Sequence, residues 1–500
     1  MTEHQATAST AGTKAGERSH DPSYPAKFLE FMRTGWGSAE LTDLVTVPQA
    51  QRHARRRRAV SQAFPGETLI IPTGREKVRA NDTFFRFRAG SDFAWLTGDY
   101  DPEGVLVLSP TAGEHDAVLY RRPRKSTESD EFFRSAQYGE LWIGRKYSLN
   151  ETATRLGVDC RDIEELPALL SKLPADKTRV LRGYDAGVDA AVSADPEPTE
   201  AGQLSRDREL AAVLSQLRLI KDEWELAQLQ EAVDITVRGF EDVARILPTD
   251  QAISERVIEG VFGHRSRLEG NGIGYDSIVG AGSHATTLHW ITNDGRTTPG
   301  ELILMDMGTE NNHLYTADVT RTIPVTGRFT PLQRQVYDIV HASQQAGMDA
   351  IKPGVEYQHI HQTCMRVLAE GLHDLGVLPV SVDEAMSQDS LVYRRWTLHG
   401  FGHMLGIDVH DCAASRQEYY WKGELAEGHV LTVEPGLYFQ PHDELVPEEL
   451  RGIGIRIEDD VLVTADGHHN LSAGLPRTSD DVEEWLARQR EAGPRIAGID

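Results

Sequence analysis

Two acidic patterns in this sequence repeat one another. The first runs Leu302-Ile-Leu-Met-Asp306-Met-Gly308, then Leu314-Tyr-Thr-Ala-Asp318-Val-Thr-Arg-Thr322. The second runs Val430-Leu-Thr-Val-Glu434-Pro-Gly436, then Gly454-Ile-Arg-Ile-Glu458-Asp-Asp460. Each is an apolar run that delivers a carboxylate, stops at glycine, and is followed by a strand-like run carrying another. An acid in an apolar strand costs desolvation free energy unless something offsets it. Strand alternation puts Leu302, Leu304 and Asp306 on one face, and Asp318 with Thr320 and Thr322 on another. It likewise groups Thr432 with Glu434, and Arg456 with Glu458 and Asp460. If these strands pair, four carboxylates converge. Arg456 alone cannot balance them, and bare acids raise one another's pKa unless cations intervene, so one or two divalent metal ions are expected. Any one of these acids could merely end a strand or form a turn; four in a repeated pattern point to a shared site.

A nitrogen ligand should lie nearby. The segment Trp396-Thr-Leu-His399-Gly-Phe-Gly-His403-Met-Leu-Gly-Ile-Asp408-Val-His410-Asp411 offers three histidines. His399 and His403 have the spacing of a zinc-protease helix, but Gly400 and Gly402 lie between them and no Glu follows His399, so the HExxH motif is absent. The glycines favour a loop or strand crowded against the site. His289, in Thr287-Leu-His-Trp290, follows the Gly-rich turn Val279-Gly-Ala-Gly282; alone it reads as an ordinary partly buried histidine.

The elements that must position these groups follow from size and pattern. Five hundred residues suit two domains better than one, because single cores stop growing at roughly 250–300 residues. The net charge of -25, from 77 acids against 52 bases, disfavours nucleic acid or an anionic membrane as partner. Three cysteines without CxxC spacing read as free thiols in a reducing cytoplasm. No apolar stretch approaches a membrane span and no signal peptide is visible, so a cytoplasmic protein is expected. Residues 1–23 read as a disordered tail and 193–202 as a linker or surface loop. The run Arg52-His-Ala-Arg-Arg-Arg-Arg58 reads as the solvated face of a helix. Buried strands at 67–72 and 104–109, alternating with helical stretches such as 164–173, predict a small α/β domain over 24–205. A second domain over 206–492 opens with a long amphipathic helix through Leu217, Ile220, Trp224, Leu226, Leu229, Val233 and Val237. Thr330 and Pro331 predict the start of a helix reaching Met348, and 480–491 reads as a charged surface helix.

The ordered set Asp306, Asp318, His403, Glu434 and Glu458 resembles the five metal ligands of the pita-bread metallopeptidases, over roughly 215–475. The carrying motifs are His399-Gly-Phe-Gly-His403, Thr432-Val-Glu-Pro-Gly436 and Ile455-Arg-Ile-Glu-Asp459. The first half resembles the aminopeptidase P branch through Ser91-Asp-Phe-Ala-Trp-Leu-Thr-Gly98 and Leu141-Trp-Ile-Gly-Arg145. The resemblance implies an α+β chain, a creatinase-like α/β domain followed by a pseudo-symmetric pita-bread catalytic domain. It implies two bridged divalent ions, Mn²⁺ most often in this branch, contacted in common by Asp306 and Glu458. One imidazole among carboxylates is a hard donor set that suits Mn²⁺, Co²⁺ or Fe²⁺.

The implied reaction removes the first residue from peptides with proline second, by attack of a metal-bridging hydroxide. The resemblance assigns substrate and transition-state contacts to His289, His399 and His410. It gives Glu434 a proton-shuttling role and Arg456 a relay with Tyr438 and Asp92. It also implies that Trp142 reaches a neighbouring subunit's site, hence a homodimer or homotetramer. The chain departs from the pattern at His410-Asp-Cys412-Ala, where glycines are common, and at Trp290, where Tyr is frequent. The alternatives are a prolidase acting on Xaa-Pro dipeptides and, in another class, a metal-free pita-bread binding protein.

Overall fold

The computed structural model describes residues 24–193 and 203–498. The tail expected at 1–23 and all but the first residue of the 193–202 linker lie outside the described residues.

In the first half, a five-stranded mixed sheet runs in the order Asp159–Asp162, His115–Arg121, Val105–Pro110, Thr68–Pro72, Thr178–Val180. Its apolar runs are continuous because both faces are covered. Ile70, Val105, Val107 and Val180 face a cluster with Leu166 and Leu170. Leu69, Ile71, Leu106 and Leu108 face the other way, onto a core shared with Leu229, Tyr315, Leu405 and Val430 of the second half. The amino-terminal sheet and the segments that flank the acidic strands therefore share one core, to which the helices Ala50–Ala63 and Ser91–Thr97 contribute Val60, Phe93 and Leu96.

The arginine run corrects its sequence reading. It lies in the helix Ala50–Ala63, but His53, Arg56 and Arg57 are buried rather than solvated. Arg56 Nη2 pairs with Glu225 at 3.1 Å and Arg57 Nη1 donates to the carbonyl of Leu96 at 2.8 Å. A charge run says only that the group needs a partner; Arg57 finds its own within the first half, and Arg56 finds Glu225 in the second. The expected single helix through Leu217 and Val237 is also two, Arg206–Arg218 and Glu223–Ile246. Asp222 restarts the second with a capping box, its side chain accepting from the amides of Trp224 and Glu225.

The second half repeats one plan. The helices Glu223–Ile246 and Glu255–Glu269 precede an antiparallel sheet of Ile278–Ala281, Leu302–Met307 and Val319–Pro324. The helices Pro331–Asp349 and Tyr357–Asp374 precede a sheet of Val430–Val433, Asp459–Val463 and His468–Asn470, with Gly436–Tyr438 paired to Gly454–Arg456 beside it. Thr330 caps the first of that pair reciprocally with Gln333, as the Thr-Pro start predicts. The closing helix, Ser479–Ala492, buries Val482, Trp485 and Leu486, so it is amphipathic rather than purely charged. Among the described residues no helix is long and apolar enough to cross a membrane, and Cys160, Cys364 and Cys412 are free thiols.

The two halves join along their acidic strands. The amide of Glu458 donates to the carbonyl of Thr320 at 3.1 Å, and that of Arg456 to Thr322 Oγ1 at 3.1 Å. Asp318 donates its amide to Asp460 Oδ2 at 3.1 Å. Arg321, 1 % exposed, crosses the seam: Nη1 donates to the carbonyls of Thr320 and Glu458, and Nη2 to Asp459 Oδ1 at 2.7 Å. This is the α+β, pseudo-symmetric pita-bread arrangement that the resemblance implies, with the α/β domain ahead of it.

Candidate metal centre

Register brings the acids together. Asp306 lies opposite Thr320 in its sheet, and Thr320 Oγ1 donates to Glu458 Oε2 across the seam at 2.7 Å. Arg456, two residues before Glu458, donates Nη2 to Asp306 Oδ2 at 2.6 Å and Nε to Thr320 Oγ1 at 3.1 Å. Asp306, Thr320, Arg456 and Glu458 thus converge, although the run expected as one strand is broken: Gly454–Arg456 and Asp459–Val463 lie in different sheets, with Glu458 between them. Asp318, His403 and Glu458 each offer a donor atom within 4.8 Å of the others. His403 Nε2 lies 3.3 Å from Asp318 Oδ2 and 3.5 Å from Glu434 Oε1. Asp306, Asp318, Glu458 and Arg456 are buried, while Glu434, His399 and His403 are half-buried above them.

Glycine makes this approach possible at two points. Phe401 to His403 lies along the strand Val430–Val433: Thr432 donates its amide to the carbonyl of His403 at 2.8 Å, and Glu434 its amide to that of Phe401 at 2.7 Å. A Cβ on Gly402 would stand 2.0 Å from the carbonyl oxygen of Thr432. One on Gly308 would stand 1.7 Å from the carbonyl oxygen of Ala317, in the turn between Asp306 and Asp318. The expectation of a loop or strand crowded against the site is met as a loop, and no helix forms there.

The electrostatics ask for cations. Burial, then the neighbouring Asp318, Glu434 and Asp306, pushes Glu458 well above the usual carboxylate range. Burial and Asp306 raise Asp318, and burial with Asp318 raises Glu434 to about 7. Burial lowers His403, but its hydrogen bond to Asp318 and the Glu434 charge outweigh this and hold it up at about 9. Four mutually repelling carboxylates with one guanidinium and one imidazole form a donor set that fits hard divalent ions.

The surrounding histidines are ordered by a hydrogen-bonded chain. Arg456 Nη1 donates to the Tyr438 hydroxyl at 2.9 Å, which lies 2.8 Å from His399 Nε2. Burial and Arg456 drive His399 down to about 3, so Nε2 accepts the tyrosine proton and the Nδ1 side faces Glu434 Oε2 at 3.5 Å. The chain links Asp306 at one end to Glu434 at the other. His410 packs edge-on against His403, ring centres 4.3 Å apart. His289 is exposed, yet near enough to depress the pKa of both His399 and His410.

Asp92 and Trp142 do not join this cluster. Asp92, expected to relay with Arg456 and Tyr438, instead accepts from Arg218 Nη1 at 2.8 Å. Its helix, Ser91–Thr97, packs where Arg218 also reaches Asp408 and Asp411, so Asp92 braces the segment around His410. Trp142 stands 59 % exposed on the first domain, its indole donating to the carbonyl of Phe133. Cys412, in the segment after His410, adopts φ 59°, a left-handed conformation that costs a side-chain-bearing residue on the order of 1 kcal/mol.

Tyr275 was missed by sequence reasoning. Its hydroxyl lies 2.7 Å from Asp306 Oδ1 and 2.5 Å from Asp318 Oδ1, bracing two candidate ligands at once. Gly274-Tyr-Asp carries no local signal of this, since the contact forms only when the segment before Ile278–Ala281 is brought against Asp306 and Asp318.

Residues 227–465 match the family described as Metallopeptidase family M24, and 53–181 match Aminopeptidase P, N-terminal domain. The chain is 51 % identical to Xaa-Pro aminopeptidase 1 of Streptomyces coelicolor, over 93 % of each chain. It is 31 % identical to aminopeptidase P from Escherichia coli with the inhibitor Pro-Leu, with a TM-score of 0.77 over 91 % of this chain and 100 % of that one. A zinc-substituted form of the Escherichia coli enzyme in complex with product gives 0.76 and 31 %, over 90 % and 100 %. The chain belongs to the Xaa-Pro aminopeptidases of metallopeptidase family M24.

Proposed function

We propose that this protein is a metal-dependent aminopeptidase that removes the first residue from peptides with proline in the second position. The observation that carries this is the convergence of Asp306, Asp318, His403, Glu434 and Glu458 beneath a half-exposed arc of His399 and His410. The five would hold two divalent ions, Mn²⁺ by preference, which supply Lewis acidity and a water acidified to near neutral pH.

The chain's own groups then divide the work. Asp306 and Glu458 hold the shared floor, and Arg456 fixes the Asp306 carboxylate from below while its other branch orients Tyr438. Neutral His399 accepts from Tyr438 and is left with its Nδ1 edge toward Glu434. On this reading His289, His399 and His410 supply the donors for a scissile carbonyl oxygen. Glu434 is placed to carry a proton to the imino nitrogen, which leaves as a secondary amine because proline has no N–H. Asp306, Asp318, Arg456 and Glu458 are buried, so their charges act in a setting of lower dielectric than water.

The same reading takes 24–205 and 206–492 as the two domains, a cytoplasmic setting, and assembly as a homodimer or homotetramer through Trp142. Exposed Leu141, Trp142 and Ile143 on one short helix support that last point, and sedimentation of the purified protein tests it.

The deciding experiment compares Xaa-Pro-Yaa peptides of rising length with Gly-Pro, after reconstitution with Mn²⁺, in the native protein and in Asp306→Asn. Release of the first residue from tripeptides, lost in the variant, is expected. Cleavage of the dipeptide alone would make the protein a prolidase; no bound metal and no effect of the substitution would make it a binding protein.

A further inference from the structure

The loop that carries His289 is tied at both ends to one buried carboxylate. Glu255 opens the helix Glu255–Glu269 and is 0 % exposed. Its Oε1 accepts the amide of Ala281 at 2.8 Å and lies 2.9 Å from His284 Nδ1. Its Oε2 accepts the amide of Gly295 at 2.7 Å and the Trp290 indole N–H at 3.0 Å. Two of these donors are backbone amides at the start and end of the 281–295 loop; the other two are side chains within it. Trp290, next to His289, is stacked on the His284 ring, centres 3.9 Å apart and planes at 29°. The loop also closes onto the same helix start: Glu255 donates its amide to the carbonyl of Gly295 at 3.1 Å, and Thr297 its amide to that of Ile253 at 2.9 Å.

Glu255, His284 and Asp294 also offer donor atoms within 4.8 Å of one another, the spacing of a cation site. A carboxylate has about four lone-pair positions, and four N–H groups already fill those of Glu255. Two of them belong to backbone that cannot turn away. The arrangement is an anchor, and what it anchors is the direction in which His289 leaves the chain. The pinned loop meets the centre at the residue before His289: Arg456 Nη2 reaches the carbonyl of Leu288 at 3.5 Å, and Leu288 packs with Leu304 and Tyr438, so holding the loop holds His289 beside the Asp306–Arg456–Tyr438 chain. Charge-assisted bonds of this kind are roughly twice as strong as neutral ones, so the anchor is rigid.

We propose that Glu255 is a positioning residue for the peptidase reaction: by gathering both ends of the 281–295 loop and the Trp290 indole, it holds His289 against the metal centre. This rests on the assignment of His289 to the substrate side of that centre.

The test is a double-mutant cycle on a Xaa-Pro-Yaa tripeptide with Mn²⁺-loaded protein, using Glu255→Gln, His289→Ala and the pair, with bound metal measured in each. Glutamine keeps the volume but turns an NH2 group against two N–H donors. Glu255→Gln is expected to retain its metal and to lose kcat/KM on the order of 10²-fold, the cost of a misplacement of about 1 Å. In the His289→Ala background the same change is expected to add no more than about 2-fold, because independent sites add and coupled ones do not. Wild-type kcat/KM in Glu255→Gln, loss of its metal, or effects that multiply in full each overturn the proposal. Should Glu255→Gln not fold, Trp290→Phe keeps the stack and removes one donor. It is expected to lose roughly 10-fold in the same coupled way, on the same misplacement argument; wild-type behaviour there overturns the proposal equally. Failure of the underlying reading shows separately, as His289→Ala at wild-type activity or as no tripeptide cleavage by the native enzyme.

Discussion

Replacing Gly402 by alanine should remove the metal site, while the same change at Gly400 should not. A Cβ at Gly402 meets the carbonyl oxygen of Thr432 at 2.0 Å and its carbon at 2.7 Å, where ordinary contact begins at 3.4 Å. The Phe401–His403 segment must therefore retreat by about 1.4 Å from the strand that carries Glu434. The obstacle is backbone, so no side chain can swing aside. Three hydrogen bonds hold that segment in place: Thr432 N to His403 O at 2.8 Å, His403 N to Thr432 Oγ1 at 3.0 Å, and Glu434 N to Phe401 O at 2.7 Å. A shift of that size carries all three past hydrogen-bonding range. At about 1 kcal/mol each, with about 1–3 kcal/mol of strain, the loss is on the order of 5 kcal/mol, a large part of typical stability. Metal–ligand distances tolerate only about ±0.2 Å, so His403 and Glu434 cannot both remain ligands. At Gly400 the nearest atoms to an added Cβ are 3.8 and 3.9 Å away, which is ordinary contact. Competition of Mn²⁺ binding against a fluorescent chelator, alongside urea unfolding, reads both effects. Wild-type metal affinity in Gly402→Ala, or equal losses in the two variants, would refute the reasoning.

Three further outcomes follow from the same geometry. Tyr275→Phe removes the hydroxyl shared by Asp306 and Asp318 and should weaken Mn²⁺ binding by roughly 10–100-fold, the usual effect of losing a partner that orients metal ligands; the same competition assay reads it, and unchanged affinity counts against the role. His53 is held down at about 3 by burial, then by the charges of Arg56 and Arg57, so the unfolded chain takes up its proton near pH 6.5 and the folded chain does not. Stability from this group is complete above pH 6.5 and is lost as pH falls toward 3, by on the order of 5 kcal/mol at the limit; urea unfolding across that window should steepen, and a slope unchanged in His53→Gln would be contrary. Exhaustive chelation should abolish peptidase activity and lower the melting temperature, because it leaves Asp306, Asp318, Glu434 and Glu458 repelling one another, with Mn²⁺ restoring both; full activity in the chelated protein would be incompatible with the site.

How much of the site could be read beforehand depended on range along the chain. Asp306, Asp318, Glu434 and Glu458 stood out because an acid in an apolar strand is anomalous within a few residues, and alternation placed Arg456 on their side without any tertiary information. The helix start at Thr330 was equally local. Tyr275 gave no sign, because its two partners lie in strands from elsewhere in the sheet. Asp92 was placed with the wrong arginine: a motif marks it as special, but only packing decides that Arg218, rather than Arg456, crosses its path. The arginine run went wrong for the same reason, since Glu225, the partner that makes Arg56 buriable, lies in the other half of the chain.

The sequence by itself determined the chemistry of the centre: four carboxylates and an imidazole, delivered by duplicated strands, with glycines where backbone must come close. Periodicity and desolvation act on neighbouring residues, so they leave a mark that is readable in one dimension. Tertiary structure alone decided which groups hold the site still: Tyr275 between two acids, Arg321 across the seam, and Glu255 gathering the ends of the 281–295 loop. These are buried polar contacts between distant segments, whose free energy exists only once both partners have left water.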